Sequence, residues 1–100
     1  MQREGDLDNL ITRLRQMLPL LIERYQVESL AVFGSYVRRA AQPESDLDVL
    51  VTFRRPPSLL AFVALENLLS DELGIKVDLV MKDALKPRIG AHIMKEVVPV

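Results

Sequence analysis

The sequence has no cysteine, no tryptophan and a single histidine, and only five of its 100 side chains are aromatic. Without cysteine there is no disulfide, no thiolate nucleophile and no sulfur-ligated metal. A lone histidine, His92, excludes a histidine-based metal cluster and argues against a catalytic dyad built on imidazole. The scarcity of rings leaves Leu, Val and Ile to form the core. Neither sign of charge is in excess: 13 basic residues face 14 acidic ones, for a net charge of −1. That balance argues against a protein whose main task is non-specific binding to nucleic acid. Long apolar runs are missing too. The run Met17 to Ile22 is interrupted by Pro19, and no uncharged apolar run is long enough to cross a bilayer. The opening stretch MQREGDLDNL has no apolar segment of the kind a signal peptide needs. No Walker A loop, nucleophile elbow or zinc spacing is found. These features predict one cytoplasmic domain spanning residues 1–100, with no membrane attachment and no direct stable binding of nucleic acid.

The 49% of hydrophobic residues is enough for a packed interior. Leu7, Leu10, Ile11, Leu14, Leu18, Leu21, Ile22 and Tyr25 fall on one helical face. They predict a first helix with Asp6 as its N-cap and a kink or restart at Pro19, which has no N–H to donate. ESLAVFGS reads as a short buried strand stopped at Gly34. Residues 36–45 read as a polar turn, with room for a short helix that Pro43 ends. DLDVLVTF is a second strand, rich in β-branched residues. After the RRPP loop, Ser58 can cap a helix running through Leu73 and closed by Gly74. KVDLVM is a third strand. Pro87 opens a last helix carrying Ile89, Ile93, Met94 and Val97, with Pro99 as its stop. The order predicts an α/β (α+β) fold, a small three-stranded mixed sheet with flanking helices.

Three carboxylates stand out against this apolar pattern. Side chains on a strand alternate faces, so Asp46 and Asp48 project to one side while Leu47, Val49 and Val51 point to the other. Asp78 is the only charge within VDLVM. If the second and third strands pair, all three aspartates share a face, with opposed Cβ atoms roughly 4.5–5.5 Å apart. Carboxylates so placed repel one another unless a cation neutralises them, and all-oxygen ligands suit Mg²⁺. Two such ions about 3.5–4 Å apart can clamp an in-line phosphoryl or nucleotidyl displacement. Asp78 is then placed to be ligand, general base, or both. Gly34 allows close backbone approach, and the amides after it can form a nest for an anion, with the Ser35 hydroxyl as a further donor. Antiparallel pairing of the first two strands would set Gly34 and Ser35 beside Asp46 and Asp48. Arg38 is the best-placed cation for a phosphate contact, although a solvated surface arginine is the plainer reading. Lys86 and Arg88 at the start of the last helix read as an exposed first turn. Taken singly, a D-x-D on a strand is more often a polar edge and a Gly-Ser pair more often just a turn; three features converging on one pocket favour a site.

The stretch Gly34-Ser35, ten residues, Asp46-Leu47-Asp48, and the later strand aspartate Asp78 resembles the DNA polymerase β-like nucleotidyltransferase superfamily. More narrowly, the chain is similar to MNT-type minimal nucleotidyltransferases over nearly its whole length, through RYQVESLAVFGSYVRR, SDLDVLVTF and KVDLVMKDALKPRIGAHIMKEVVPV. One position departs: Arg39 follows Arg38 where the family often has Gly, which stiffens the turn and adds a charge. The resemblance implies the polymerase β-like nucleotidyltransferase fold. It implies Gly34 and Ser35 at the nucleotide phosphates, and Asp46, Asp48 and Asp78 around Mg²⁺. It also implies ATP as donor and AMP as the group transferred. It further implies a HEPN-domain ribonuclease toxin as partner, with this chain as its antitoxin in a hetero-oligomer, in several family members by adenylylating a toxin tyrosine. The chain is short for an enzyme that handles a small acceptor by itself, so a wall of the pocket is expected from another chain, docked on apolar surface of the first or last helix. The competing expectation is a non-catalytic module that neutralises a toxin by occlusion. A plain acidic surface patch is the third.

Overall fold

A computed structural model of the chain describes residues 3–38, 41 and 45–100, with side chains from residue 7 onward. Arg39 and Pro43, with part of the short helix expected after Ser35, lie outside the described residues. The elements are helix α1 (Arg3–Tyr25), strands β1 (Val27–Phe33) and β2 (Leu47–Phe53), helix α2 (Leu59–Leu73), strand β3 (Val77–Met81), a 3₁₀ turn (Lys82–Ala84), helix α3 (Pro87–Met94) and strand β4 (Val98–Pro99).

Helix α1 runs unbroken through Pro19 and begins at Arg3. Asp6 is therefore inside its first turns and is not the N-cap. The bond that Pro19 cannot make would have gone to the Arg15 carbonyl. Both residues are exposed, so solvent can reach that carbonyl and the helix need not restart. The α1–β1 junction is held by a different device. Gln26 takes a left-handed conformation at φ 60°, which turns the chain sharply after Tyr25. Arg54 then donates through Nη2 to the Ile22 carbonyl at 2.9 Å, satisfying one of the last carbonyls of α1.

Helix α2 has the predicted ends. Ser58 Oγ accepts the Ala61 N–H at 3.1 Å, and Gly74 closes the helix at φ 70° while donating to the Ser70 carbonyl. Leu65, Leu69 and Leu73 on α2, with Leu10, Ile11, Leu14 and Leu21 on α1, cover one face of the sheet. From the strands that core takes Val27, Leu30, Val32, Leu47, Val49, Val51, Val77 and Leu79. Phe53 meets Phe62 of α2 as a tilted ring pair 6.4 Å apart.

Among the described residues the sheet has four strands, not three, in the order β3-β2-β1-β4. It is mixed: β1 pairs antiparallel with β2 and with β4, and β2 pairs parallel with β3. The extra strand comes from the segment expected to prolong and end the last helix. Helix α3 stops at Met94, and the valines that follow suit an extended conformation better than a helical one. Val98 pairs with Val32, Pro99 with Ala31, and the Val100 N–H donates to the Leu30 carbonyl at 3.0 Å. Proline is tolerated there because β4 is an edge strand and its outer side needs no donor. The opposite edge, β3, is closed by α2: Ser70 Oγ and Glu66 Oε2 each accept at 2.9 Å from the Val77 and Leu79 N–H groups. No helix among the described residues is long and apolar enough to cross a membrane.

Candidate active site

Antiparallel pairing places Phe33 opposite Asp48, so the turn that follows Phe33 sits at the start of β2. Parallel pairing places Asp48 directly opposite Asp78. Both aspartates are second in their strands and face away from the helix-covered core, because Leu47, Val49, Val77 and Leu79 on either side of them are buried in it. Asp46 lies just before β2, a half-exposed side chain whose carboxylate is 3.8 Å from Lys76 Nζ. That separation makes a loose, solvated ion pair that is easily given up.

The electrostatics of the pair follow from this register. Burial pushes the Asp48 carboxyl up to about 6, and the charges of Asp78 and then Asp46 push the same way. The nearby Arg38 guanidinium pulls against them. A side-chain hydrogen bond from Asp48 to Asp78 also favours the protonated form. The opposed carboxylates thus raise the cost of ionising Asp48, a cost that a bound cation would relieve. Hard oxygen donors in this arrangement fit a divalent ion such as Mg²⁺. Among the described residues, however, no three acidic or histidine side chains are already gathered as a metal-holding group. The structure brings Asp48 and Asp78 together and leaves Asp46 leaning towards Lys76.

Gly34 fits this site through shape. Its φ is +84°, which only glycine adopts without strain, and it is buried against Asp48. A Cβ added here would collide with the Asp48 carboxylate, 2.9 Å from its Cγ. The sequence feature that suggested close approach is therefore a contact between the turn and the carboxylate. Residues 35–38 continue as a turn in which the Arg38 N–H donates to the Gly34 carbonyl at 3.1 Å. Ser35 follows directly and is half-buried.

Arg38 does not extend freely into solvent. Its Nη1 donates to both carboxylate oxygens of Glu96, at 3.0 and 3.2 Å, and Glu96 Oε1 also accepts the Gly34 N–H at 3.1 Å. Glu96 was not among the residues singled out from the sequence. It lies 62 positions from Gly34 and carries no spacing signal, so only the β1–β4 pairing reveals it. Two surface pockets, of about 490 and 350 Å³, lie elsewhere, around Phe62 and Met81 and around Val51, Phe53 and Asp83. Neither is lined by Asp46, Asp48 or Asp78.

Comparison with known proteins gives the class of the chain. A protein adenylyltransferase, MntA, of Thermococcus cleftensis is 51% identical over 78 residues, spanning 78% of this chain and 79% of that protein. A solved structure assigned to the minimal nucleotidyltransferases superposes with a TM-score of 0.76 at 32% identity, covering 100% of this chain and 97% of the other. The fold is also similar to that in a complex of a tri-AMPylated Shewanella oneidensis HEPN toxin with an MNT antitoxin. There the TM-score is 0.61 at 19% identity, with 98% of this chain and 71% of the other covered. The nucleotidyltransferase domain family matches residues 7–100, and with the carboxylate pair and glycine turn in place the chain belongs to that family and is an MNT-type nucleotidyltransferase.

Proposed function

We propose that residues 1–100 act as one minimal domain that transfers AMP from ATP to a tyrosine hydroxyl of a partner protein, with a HEPN-domain toxin as that partner and this chain as its antitoxin in the cytoplasm. The observation that carries the reading is the seating of Gly34 against Asp48 with Asp78 opposite, on the sheet face turned away from the α1 and α2 core. The relative named as a protein adenylyltransferase and the AMPylated toxin complex support the choice of group and acceptor.

In this reading Gly34 and Ser35 lie against the triphosphate, with Arg38 beside it. Asp48 and Asp78 hold Mg²⁺, joined by Asp46 once it leaves Lys76, and the carboxylate set has the charge for two ions. Bound there, Mg²⁺ supplies positive charge to the phosphates and lowers the pKa of the attacking hydroxyl. The chain's own groups orient the reaction. The tyrosine oxygen attacks the α-phosphorus, the bond from that phosphorus to the bridging oxygen breaks, and pyrophosphate leaves. Asp78, which is exposed, takes the hydroxyl proton in this reading. The exposure of Asp78 suits an acceptor carried on another chain.

The test is incubation with ATP labelled at the α-phosphate, Mg²⁺ and the HEPN-domain protein. Label should appear on the partner, and it should vanish with chelator or with Asp46→Ala plus Asp48→Ala. No label, with both proteins folded and in contact, would overturn transfer. If that double variant still neutralises the toxin, occlusion is the mechanism.

A further inference from the structure

We propose that Glu96 is a positioning residue, holding the Gly34 turn against Asp48 from the far side of the sheet; this rests on the nucleotidyltransfer reading above. In the β1–β4 ladder, Val32 pairs with Val98 and Ala31 with Pro99. Continuing that register puts Glu96 opposite Gly34. The backbone ladder has ended there, and a side chain takes over: Glu96 Oε1 accepts the Gly34 N–H at 3.1 Å in place of a strand carbonyl. The same carboxylate receives both Arg38 bonds. Because the Arg38 N–H also donates to the Gly34 carbonyl, the turn is closed at both ends and fastened at one acidic group.

The consequence reaches the reacting centre through contact. Gly34 lies between Glu96 on one side and the Asp48 carboxylate on the other, without room for even a Cβ. Glycine takes this conformation without strain but is equally free to leave it, so its neighbours are what fix it. Glu96 is mostly shielded, with 19% of its side chain exposed, so its bonds are not simply exchanged for water. Release of the Gly34 N–H lets the turn tilt, moving Ser35 and the surface against which Asp48 rests. Glu96 touches neither aspartate and is not a ligand in this scheme. It acts through Gly34.

Two variants and one control test this. The readouts are Gly34 amide hydrogen exchange, measured by NMR on the metal-free chain, and the kcat and KM for ATP in labelled transfer to the partner. With Glu96→Ala, Gly34 exchange should accelerate about 10- to 100-fold, the loss expected for one hydrogen bond to a charged group. Protection of the Val100 amide, on the same edge, should be retained. Transfer should lose about 10- to 100-fold in kcat with little change in KM, as misplacement of a reacting centre predicts. Glu96→Gln keeps an oxygen for Gly34 and should restore both exchange protection and kcat. Arg38→Ala should leave Gly34 protected. The proposal is overturned by unchanged Gly34 exchange in Glu96→Ala, by exposed Gly34 with normal kcat, by failure of glutamine to rescue, or by a general rise in exchange that includes Val100. If the unaltered chain transfers nothing, the function reading fails on its own. The Gly34 exchange pattern and the Mg²⁺ affinity of Glu96→Ala then decide whether Glu96 positions the site.

Discussion

Burial and the neighbouring Asp78 and Asp46 push the Asp48 carboxyl from 3.8 up to about 6, so the metal-free chain keeps a proton there through mildly acidic pH. The folded state binds this proton more tightly than the unfolded chain does. Its contribution to stability is therefore full below about 3.8 and is lost as pH rises through about 6. Asp48→Asn removes that slope. In thermal unfolding without divalent ions, the variant should match the parent near pH 4 and exceed it at pH 7.5. Adding Mg²⁺ should raise the parent and not the variant, since metal binding requires the proton to leave. A variant that is less stable at pH 7.5 without metal would contradict the electrostatic picture. Gly34→Ala probes the same contact from the other side. The left-handed conformation costs an ordinary residue roughly 1–2 kcal/mol before any collision with Asp48. For a chain of this length that is a fall in Tm of about 4–16 °C, to be read by calorimetry.

At the scale of elements, the edge strand β3 carries Asp78, and its outward N–H groups on either side of that aspartate are taken by Ser70 and Glu66. These two residues lie one turn apart on α2, so the helix both covers the core face and fixes the strand. Glu66→Ala strands the Leu79 N–H in a partly buried place and should cost about 1.5–3 kcal/mol, the range for a bond to a charged group. Transfer should fall with it, because the strand bearing Asp78 loses its outer restraint. Ser58→Ala is the contrast: loss of the N-cap costs about 1 kcal/mol, and Tm drops while kcat stays the same. Comparing the two by calorimetry and labelled transfer separates general stability from strand placement. Equal loss of kcat in both would refute that distinction. The helix ends at Ser58, Gly74 and Pro87 are visible in the sequence because caps and breakers act locally. Strand β4 is not, because two residues carry too little periodicity and take their conformation from β1.

Across the whole molecule, one sheet face is sealed by α1 and α2 and the other presents Asp48 and Asp78. Apolar side chains also remain exposed outside the core. Ile89 and Met94 on α3 and Leu20 on α1 are among them, as expected of the first and last helices, but Leu59 and Leu60 on α2 are the most exposed at 79% and 83%. Ligand binding at the carboxylates should couple to folding of the entire chain. With Mg²⁺ and a non-hydrolysable ATP analogue at a hundred times the dissociation constant, stability rises by about 2.7 kcal/mol. Tm should then increase by roughly 10–20 °C and return to its starting value with chelator. The same addition to Asp48→Asn should give no increase; an equal increase would mean that nucleotide binds elsewhere.

By itself the sequence determined what depends on neighbours along the chain: the three helices with the ends marked by Ser58, Gly74 and Pro87, the three longer strands, the alternation that turns Asp48 away from Leu47 and Val49, and the Gly-Ser turn ten residues before Asp46. Only the tertiary structure decided what depends on pairing at a distance. The parallel register that opposes Asp48 to Asp78 is set by β2 and β3 finding each other across α2. Hydrogen bonding with β1 turned the Val98–Pro99 segment into an edge strand, and the same edge brought Glu96 to Gly34. Side-chain periodicity records which face a residue takes, but not which residue on another strand it will meet.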